Sequence, residues 1–338
     1  MKYCEHVAHS LCFNLYDVIP CCTCNNGNAP KYYDVRLHKE DIFYNLNFKN
    51  TQKEIFEKLN SEELTKFSCA SCIFLKEKDE SFNKEDKINS IFLKHWTECN
   101  CDCVYCDNTR EKMYGEAAKY NPYHLIQKLY EENKIDINNL VVRVQGGDLS
   151  VLPDFEDYMN LFEKNGYKEI HFSTNNISYQ PKIEQVLIKN KGSINVSLDC
   201  GSKEIYHKIK QVDCFDLVVN NLKKYISAKG NSENITIHYI IVKGYNDNKK
   251  EIDKFIKLMK KIGIKNIGIR IDHKDLDIYL GTNNSDTSVS HYQKLINFFY
   301  KKATELDFRL DGDVCIEQNF VLKNYKEEKG FFQKLLKL

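Results

Sequence analysis

The chain reads as an α/β protein: a partial TIM-like (β/α)6 barrel with a cysteine-rich N-terminal module and a C-terminal helical extension. Three observations predict it. From about residue 88 onward, short β-branched runs alternate with longer helical patterns. Repeated βα units imply a parallel sheet covered by helices. Polar or glycine-rich punctuation follows the β runs, where such sheets collect their ligands. The 338 residues suffice for a barrel-sized domain with an appendage. The boundaries are read as 1–85 for the module, 86–275 for the barrel and 276–338 for the extension.

The predicted strands follow in order. Ile91 to Trp96 leads into a cysteine-dense loop, and Leu140 to Gln145, Glu169 to Asn175, Ser193 to Asp199, Ile235 to Lys243 and Asn266 to Asp272 continue the series. Between the last two, Ile252, Phe255, Met259 and Ile262 fall at helical spacing, and Gly263 stands where a helix C-cap belongs. Upstream, Cys12 to Cys22 has a hairpin-like pattern and Glu54 to Leu64 is helical.

Composition narrows the function classes. Lys plus Arg total 49 against 48 Asp plus Glu, without the basic excess of a nucleic-acid binder. Glu5, His6, Asn14 and Asp17 interrupt any signal-peptide core, and no later run approaches a membrane span, so a cytoplasmic protein is expected. Fourteen cysteines in a long chain of this kind are reduced thiols or metal ligands rather than a disulfide scaffold. Eleven of them precede residue 107, and that clustering favours ligands.

Four cysteines lie at 99, 101, 103 and 106, and Cys99, Cys103 and Cys106 are spaced C-x3-C-x2-C with Tyr105 before the last. Three thiolates on one short loop hold three corners of a [4Fe-4S] cube and leave the fourth iron open to a chelating small molecule. Zinc is the alternative, because Cys69-x2-Cys72 and Cys103-x2-Cys106 also make a CxxC pair. The gap between those pairs exceeds the usual one, and zinc gives no reason for Cys99 or Cys101.

The segment Trp96-Thr97-Glu98-Cys99-Asn100-Cys101-Asp102-Cys103-Val104-Tyr105-Cys106 resembles the cluster loop of the radical S-adenosylmethionine (SAM) superfamily. The resemblance implies that SAM chelates the open iron and is cleaved by an electron from the cluster. A 5′-deoxyadenosyl radical then takes hydrogen from a substrate. It spans roughly 88 to 275. Gly146, Gly147 and Asp148 resemble the family's Gly-Gly-Glu motif for the SAM amino group, with the shorter Asp in place of Glu. Ser173 lies in a strand end similar to the family's Ser-Thr-Asn-Gly, and Ser197 and Asp199 stand where relatives meet the ribose hydroxyls. Lys210 stands where many relatives carry an arginine for the SAM carboxylate, and Gly244 marks the strand end near adenine. For the serines the plainer reading is a helix cap or turn.

Cys12, Cys21 or Cys22, Cys69 and Cys72 resemble the auxiliary-cluster modules of the SPASM and twitch subfamilies, here ahead of the barrel and without the usual glycine. That resemblance implies a second, fully coordinated [4Fe-4S] cluster, with zinc as the alternative. Cys4, Cys24 and Cys101 receive no assignment. The expected function is a radical SAM enzyme acting on a peptide or protein. A carbohydrate or other small metabolite is the second substrate class, and a non-catalytic zinc or iron-sulfur protein the competing one. A reduced flavodoxin or ferredoxin would supply the electron. No side chain is assigned a catalytic role.

Overall fold

The computed structural model describes residues 1–20, 31–34, 48–66, 69, 72, 75–78, 87–107, 115–272, 275 and 286–311. Its chain divides into two compact units. One comprises Met1–Asn100, Lys112–Thr174 and Gln180–Ser193, and the other Cys101–Glu111, Asn175–Tyr179 and Ile194–Leu338.

The first unit runs β1 (Lys2–Tyr3), α1 (Glu5–His9), β2 (Ser10–Phe13), β3 (Asp17–Ile19), β4 (Tyr33–Asp34), α2 (Phe48–Leu59), β5 (Lys76–Glu77), β6 (Ser90–Leu93), α3 (Pro122–Glu131), β7 (Val141–Val144), α4 (Phe155–Asn165), β8 (Glu169–Thr174) and α5 (Pro181–Ile188). Strands β6, β7 and β8 pair in parallel, each followed by a helix, as the alternating pattern predicts. Val142, Val144, Ile170 and Phe172 are buried, while the intervening Arg143, His171 and Ser173 are not. The period of two separates a core face from a polar one.

The N-terminal stretch joins this same sheet. β2 lies parallel to β6 with Cys12 opposite Phe92, and β3 returns antiparallel as the predicted hairpin. Gln52 of α2 is fully buried and donates to the carbonyls of Val7 and Ala8, which ties α2 to α1. The helix expected from Glu54 to Leu64 begins earlier, at Phe48, and its last part is a separate 3-10 turn over Glu62–Lys66.

The second unit continues with β9 (Gly192–Ser197, from Ile194 onward), α6 (Lys203–Lys210), α7 (Phe215–Lys229), β10 (Ile235–Ile241), α8 (Lys249–Ile262), β11 (Asn266–Ile271), α9 (Asp286–Glu305) and β12 (Arg309–Asp311). β9, β10 and β11 are parallel, so the six predicted strands all form. α8 ends where expected: Gly263 adopts φ 83°, the left-handed conformation glycine takes without strain. Phe255 of α8 packs between Tyr239 of β10 and Phe299 of α9, with ring centroids 5.1 and 6.2 Å away. The C-terminal extension is not purely helical, because β12 adds a parallel strand beside β11. A strand this short, with burial alternating only around Leu310, carries little periodic signal.

Candidate active site

In the first unit, β6 hands the chain through Trp96 to Cys99, and the turn after β7 lies against that passage. Gly147 N–H donates to the Trp96 carbonyl at 3.0 Å and Asp148 N–H to the Glu98 carbonyl at 2.8 Å. The Trp96 indole donates back to the Asp148 carbonyl at 3.2 Å. Contact is so close that a Cβ on Gly147 would sit 1.8 Å from the Glu98 carbonyl oxygen. The two glycines therefore serve first to admit the cysteine loop's own backbone.

Asp148 is 1 % exposed. Its carboxylate accepts from Ser150 N–H at 2.9 Å, from the Ser150 hydroxyl at 2.6 Å and from the Thr174 hydroxyl at 2.7 Å. It thus ties the end of β7 to the end of β8. Ser150 and Thr174 were not singled out in the sequence, where only the serine or threonine at a strand end hints at such a role. Ser173, beside Thr174, is exposed.

In the second unit, the rest of the cysteine loop is hooked onto the last turn of α6. Asp102 N–H donates to the Lys210 carbonyl at 3.1 Å and Val104 N–H to the Ile209 carbonyl at 3.0 Å. Side chains repeat the attachment. The Tyr105 hydroxyl donates to Asp199 at 2.7 Å, and Lys210 donates both to Tyr105 at 2.6 Å and to Asp199 at 2.5 Å. Asp199, at φ 65°, is held by Ile240 N–H on its second oxygen and by the Asn246 amide on its carbonyl. Burial alone would lower the Lys210 pKa, but the adjacent Asp199 carboxylate overrides it and holds the ammonium charged. Burial, followed by that carboxylate, pushes the Tyr105 phenol up, so it remains protonated.

These interactions bring together three residues predicted from sequence, Tyr105, Asp199 and Lys210, as mutual hydrogen-bond partners. Asn246, which the sequence did not mark, completes the anchor. Ser197 is half-buried at the end of β9. Gly244 is exposed, and at φ 81° its N–H donates to Asp247 at 3.0 Å.

The thiols themselves fit an iron-sulfur cluster by chemistry. The Cys101 thiol beside it, and then the Lys210 ammonium, bring Cys103 down to about 7 against the opposing effect of burial. Tyr206 has a buried hydroxyl without a hydrogen-bond partner. Burial, then the fields of Cys101 and Cys103, pushes its pKa up, which keeps it a donor suited to a cluster sulfur. Among the described residues, no three His, Cys, Asp or Glu side chains are already converged as a metal cage. Cys99 and Cys106 are half-buried.

Of the second predicted cysteine group, Cys12 is buried on β2 and its thiol faces the Asn14 side-chain oxygen at 3.6 Å. Cys69 is buried and Cys72 half-buried, joined by a 3.0 Å bond from Cys72 N–H to the Cys69 carbonyl. Cys21, Cys22 and Cys24 lie outside the described residues.

A parallel βα domain with a three-cysteine loop ahead of a Gly-Gly turn defines a class. Residues 93–259 match the family model described as Radical SAM superfamily, and the chain belongs to that superfamily of enzymes. Membership implies a [4Fe-4S] cluster used with SAM. Among particular relatives, the chain is 27% identical over 182 residues to a GTP 3′,8-cyclase of Clostridium botulinum, covering 53% of this chain and 54% of that protein. It is 25% identical over 169 residues to a probable GTP 3′,8-cyclase of Saccharolobus islandicus, covering 50% and 52%. The chain thus spans about half the length of these relatives. The structure of SuiB from Streptococcus suis shares the fold with a TM-score of 0.51 at 13% identity, over 96% of this chain and 76% of that one. Among the described residues no helix is long and apolar enough to cross a membrane.

Proposed function

We propose that this protein reductively cleaves SAM to a 5′-deoxyadenosyl radical and uses it to take hydrogen from a peptide or protein substrate. Cys99, Cys103 and Cys106 are the cluster ligands. The observation that carries the reading is the loop holding them: it includes a thiol acidified to about 7 and is hydrogen-bonded to α6 through Asp102 and Val104. When bound, a cluster on three thiolates supplies an open iron for SAM and the electron that breaks its sulfonium.

The chain's own residues position and enclose. Gly146, Gly147 and Asp148 shape the turn for the SAM amino group, and Ser173 offers a hydroxyl from the end of β8. In the second unit, Ser197 and Gly244 serve the nucleoside, while Asp199 and Lys210 hold the Tyr105 ring. Cys12, Cys21 or Cys22, Cys69 and Cys72 hold a second cluster, and a reduced flavodoxin or ferredoxin delivers the electron. The structure of SuiB bound to its precursor peptide, similar in fold at a TM-score of 0.50, motivates the substrate class. The GTP 3′,8-cyclase matches favour a small metabolite as the second reading.

The test is spectroscopic. Anaerobically reconstituted and reduced protein should show a [4Fe-4S] electron paramagnetic resonance signal that changes on adding SAM. A signal indifferent to SAM, or unchanged in the Cys99→Ala/Cys103→Ala/Cys106→Ala variant, would refute the assignment.

A further inference from the structure

The first unit contains a cavity of about 540 Å³, within the ordinary size range of small-molecule sites. Trp96, Glu98, Glu116, Leu152, Pro153 and Asp154 are among the residues that line it. None of the roles assigned above uses these side chains toward a ligand.

Two independent features ask for one. His95 lines the cavity at 4 % exposure, and neither ring nitrogen has a hydrogen-bond partner. Its close neighbours are aromatic, with the Trp96 and Tyr158 rings centred 5.1 and 5.2 Å away. An unmatched buried polar group costs about 1–3 kcal/mol, so native chains almost always satisfy it. Burial pushes His95 down to about 4, which leaves it neutral near pH 7, with one donor nitrogen and one bare acceptor.

The second feature is charge. Glu98, Glu116 and Asp154 all line the cavity, and no lysine or arginine among the described residues does. Tyr16 donates to Glu116 at 2.7 Å, but a phenol brings no compensating charge. Burial, aided by nearby Asp157, pushes the Asp154 carboxyl up, as happens to an acid without a cation beside it.

We infer that the cavity binds the ammonium or guanidinium head of an aliphatic cation, with its stem against Trp96, Leu152 and Pro153. The head would be drawn by the charge of these carboxylates, and the bound molecule would donate to the bare nitrogen of His95. A basic side chain on a peptide and a free polyamine share this chemistry. Binding needs neither cluster nor SAM, so its failure is distinguishable from failure of the radical reading.

The full chain should be titrated calorimetrically with agmatine, with uncharged N-butylurea and with the capped tripeptide Gly-Arg-Gly. Agmatine or the tripeptide should saturate one site and butylurea should not. Tighter binding of the tripeptide assigns a peptide side chain, and tighter agmatine a free amine. The Glu98→Gln/Asp154→Asn variant should weaken binding about tenfold or more, given the usual strength of charge-assisted bonds. Nitrogen-15 resonances of the wild-type His95 ring supply a second reading that does not depend on that variant's folding. No saturable binding of either cation, or a His95 signal unmoved at saturation, would overturn the inference.

Discussion

Lys210 Nζ donates to Asp199 Oδ2 at 2.5 Å, and the two side chains are 1 % and 0 % exposed. Two opposite charges are thereby sealed from water beside the cysteine loop, and Tyr105 bonds to both. Desolvating them costs several kcal/mol per ion, which attraction offsets only while both partners are present. Lys210→Met is expected to lower stability by about 3–5 kcal/mol, because it strands the Asp199 carboxylate. The Lys210→Met/Asp199→Leu double variant should lose much less than the sum of the two single changes. Urea denaturation of the four chains measures the coupling, and additive losses would show that the pair acts as two separate residues.

Gly147 tests the turn. Its missing side chain lets the Glu98 carbonyl approach, so Gly147→Ala must push the turn away from the cysteine loop. The variant should lose most of its iron after anaerobic reconstitution. Gly244→Ala is the control, since a Cβ there meets nothing within 4 Å and the cost is only that of φ 81°. That strain is about 1–2 kcal/mol. Equal iron content in both variants would contradict the role of the Gly147 contact.

The barrel strands were legible because period-two burial recurs in β7, β8 and β9 and short apolar runs end in polar turns. Helix α8 was legible through Ile252, Phe255, Met259 and its Gly263 cap. The attachment of β2 to β6 was not, since pairing between residues so far apart in sequence leaves no local pattern. The site divided in the same way. Cys99, Cys103, Cys106 and Gly147 carry short-range spacing that can be read directly. The closure of Lys210 onto Asp199 and Tyr105 depends on how α6 meets the cysteine loop, and one sequence cannot show that.

Acid should destabilise the fold through its buried histidines. Burial lowers the folded-state pKa of His95 from 6.5 to about 4, so the unfolded chain takes up the proton first. The stability from keeping this ring neutral is complete above pH 6.5 and lost as pH falls towards 4. The loss from this one group is about 3 kcal/mol. His95→Phe should flatten the dependence of denaturation midpoint on pH in that window. An unchanged slope would mean that the ring is not the buried neutral group described.

The N-terminal cysteines predict metal content. Two cubes require about eight irons per chain, whereas one cube with a structural zinc requires about four irons and one zinc. Elemental analysis of anaerobically purified protein should give the first result. Cys69→Ala/Cys72→Ala should remove only the second cluster's share and spare the SAM-responsive signal. Four irons with stoichiometric zinc, the zinc alone vanishing in that variant, would replace the second cluster with a zinc site.

The central claim is SAM cleavage at the cluster held by Cys99, Cys103 and Cys106, and its most direct measurement is the production of 5′-deoxyadenosine. Protein reconstituted with iron and sulfide, reduced with dithionite and supplied with SAM should release 5′-deoxyadenosine and methionine in equal amounts. Replacing any one of the three cysteines by alanine should abolish that release. Absence of 5′-deoxyadenosine from fully reconstituted wild type, or its undiminished release by the cysteine variants, would contradict the account.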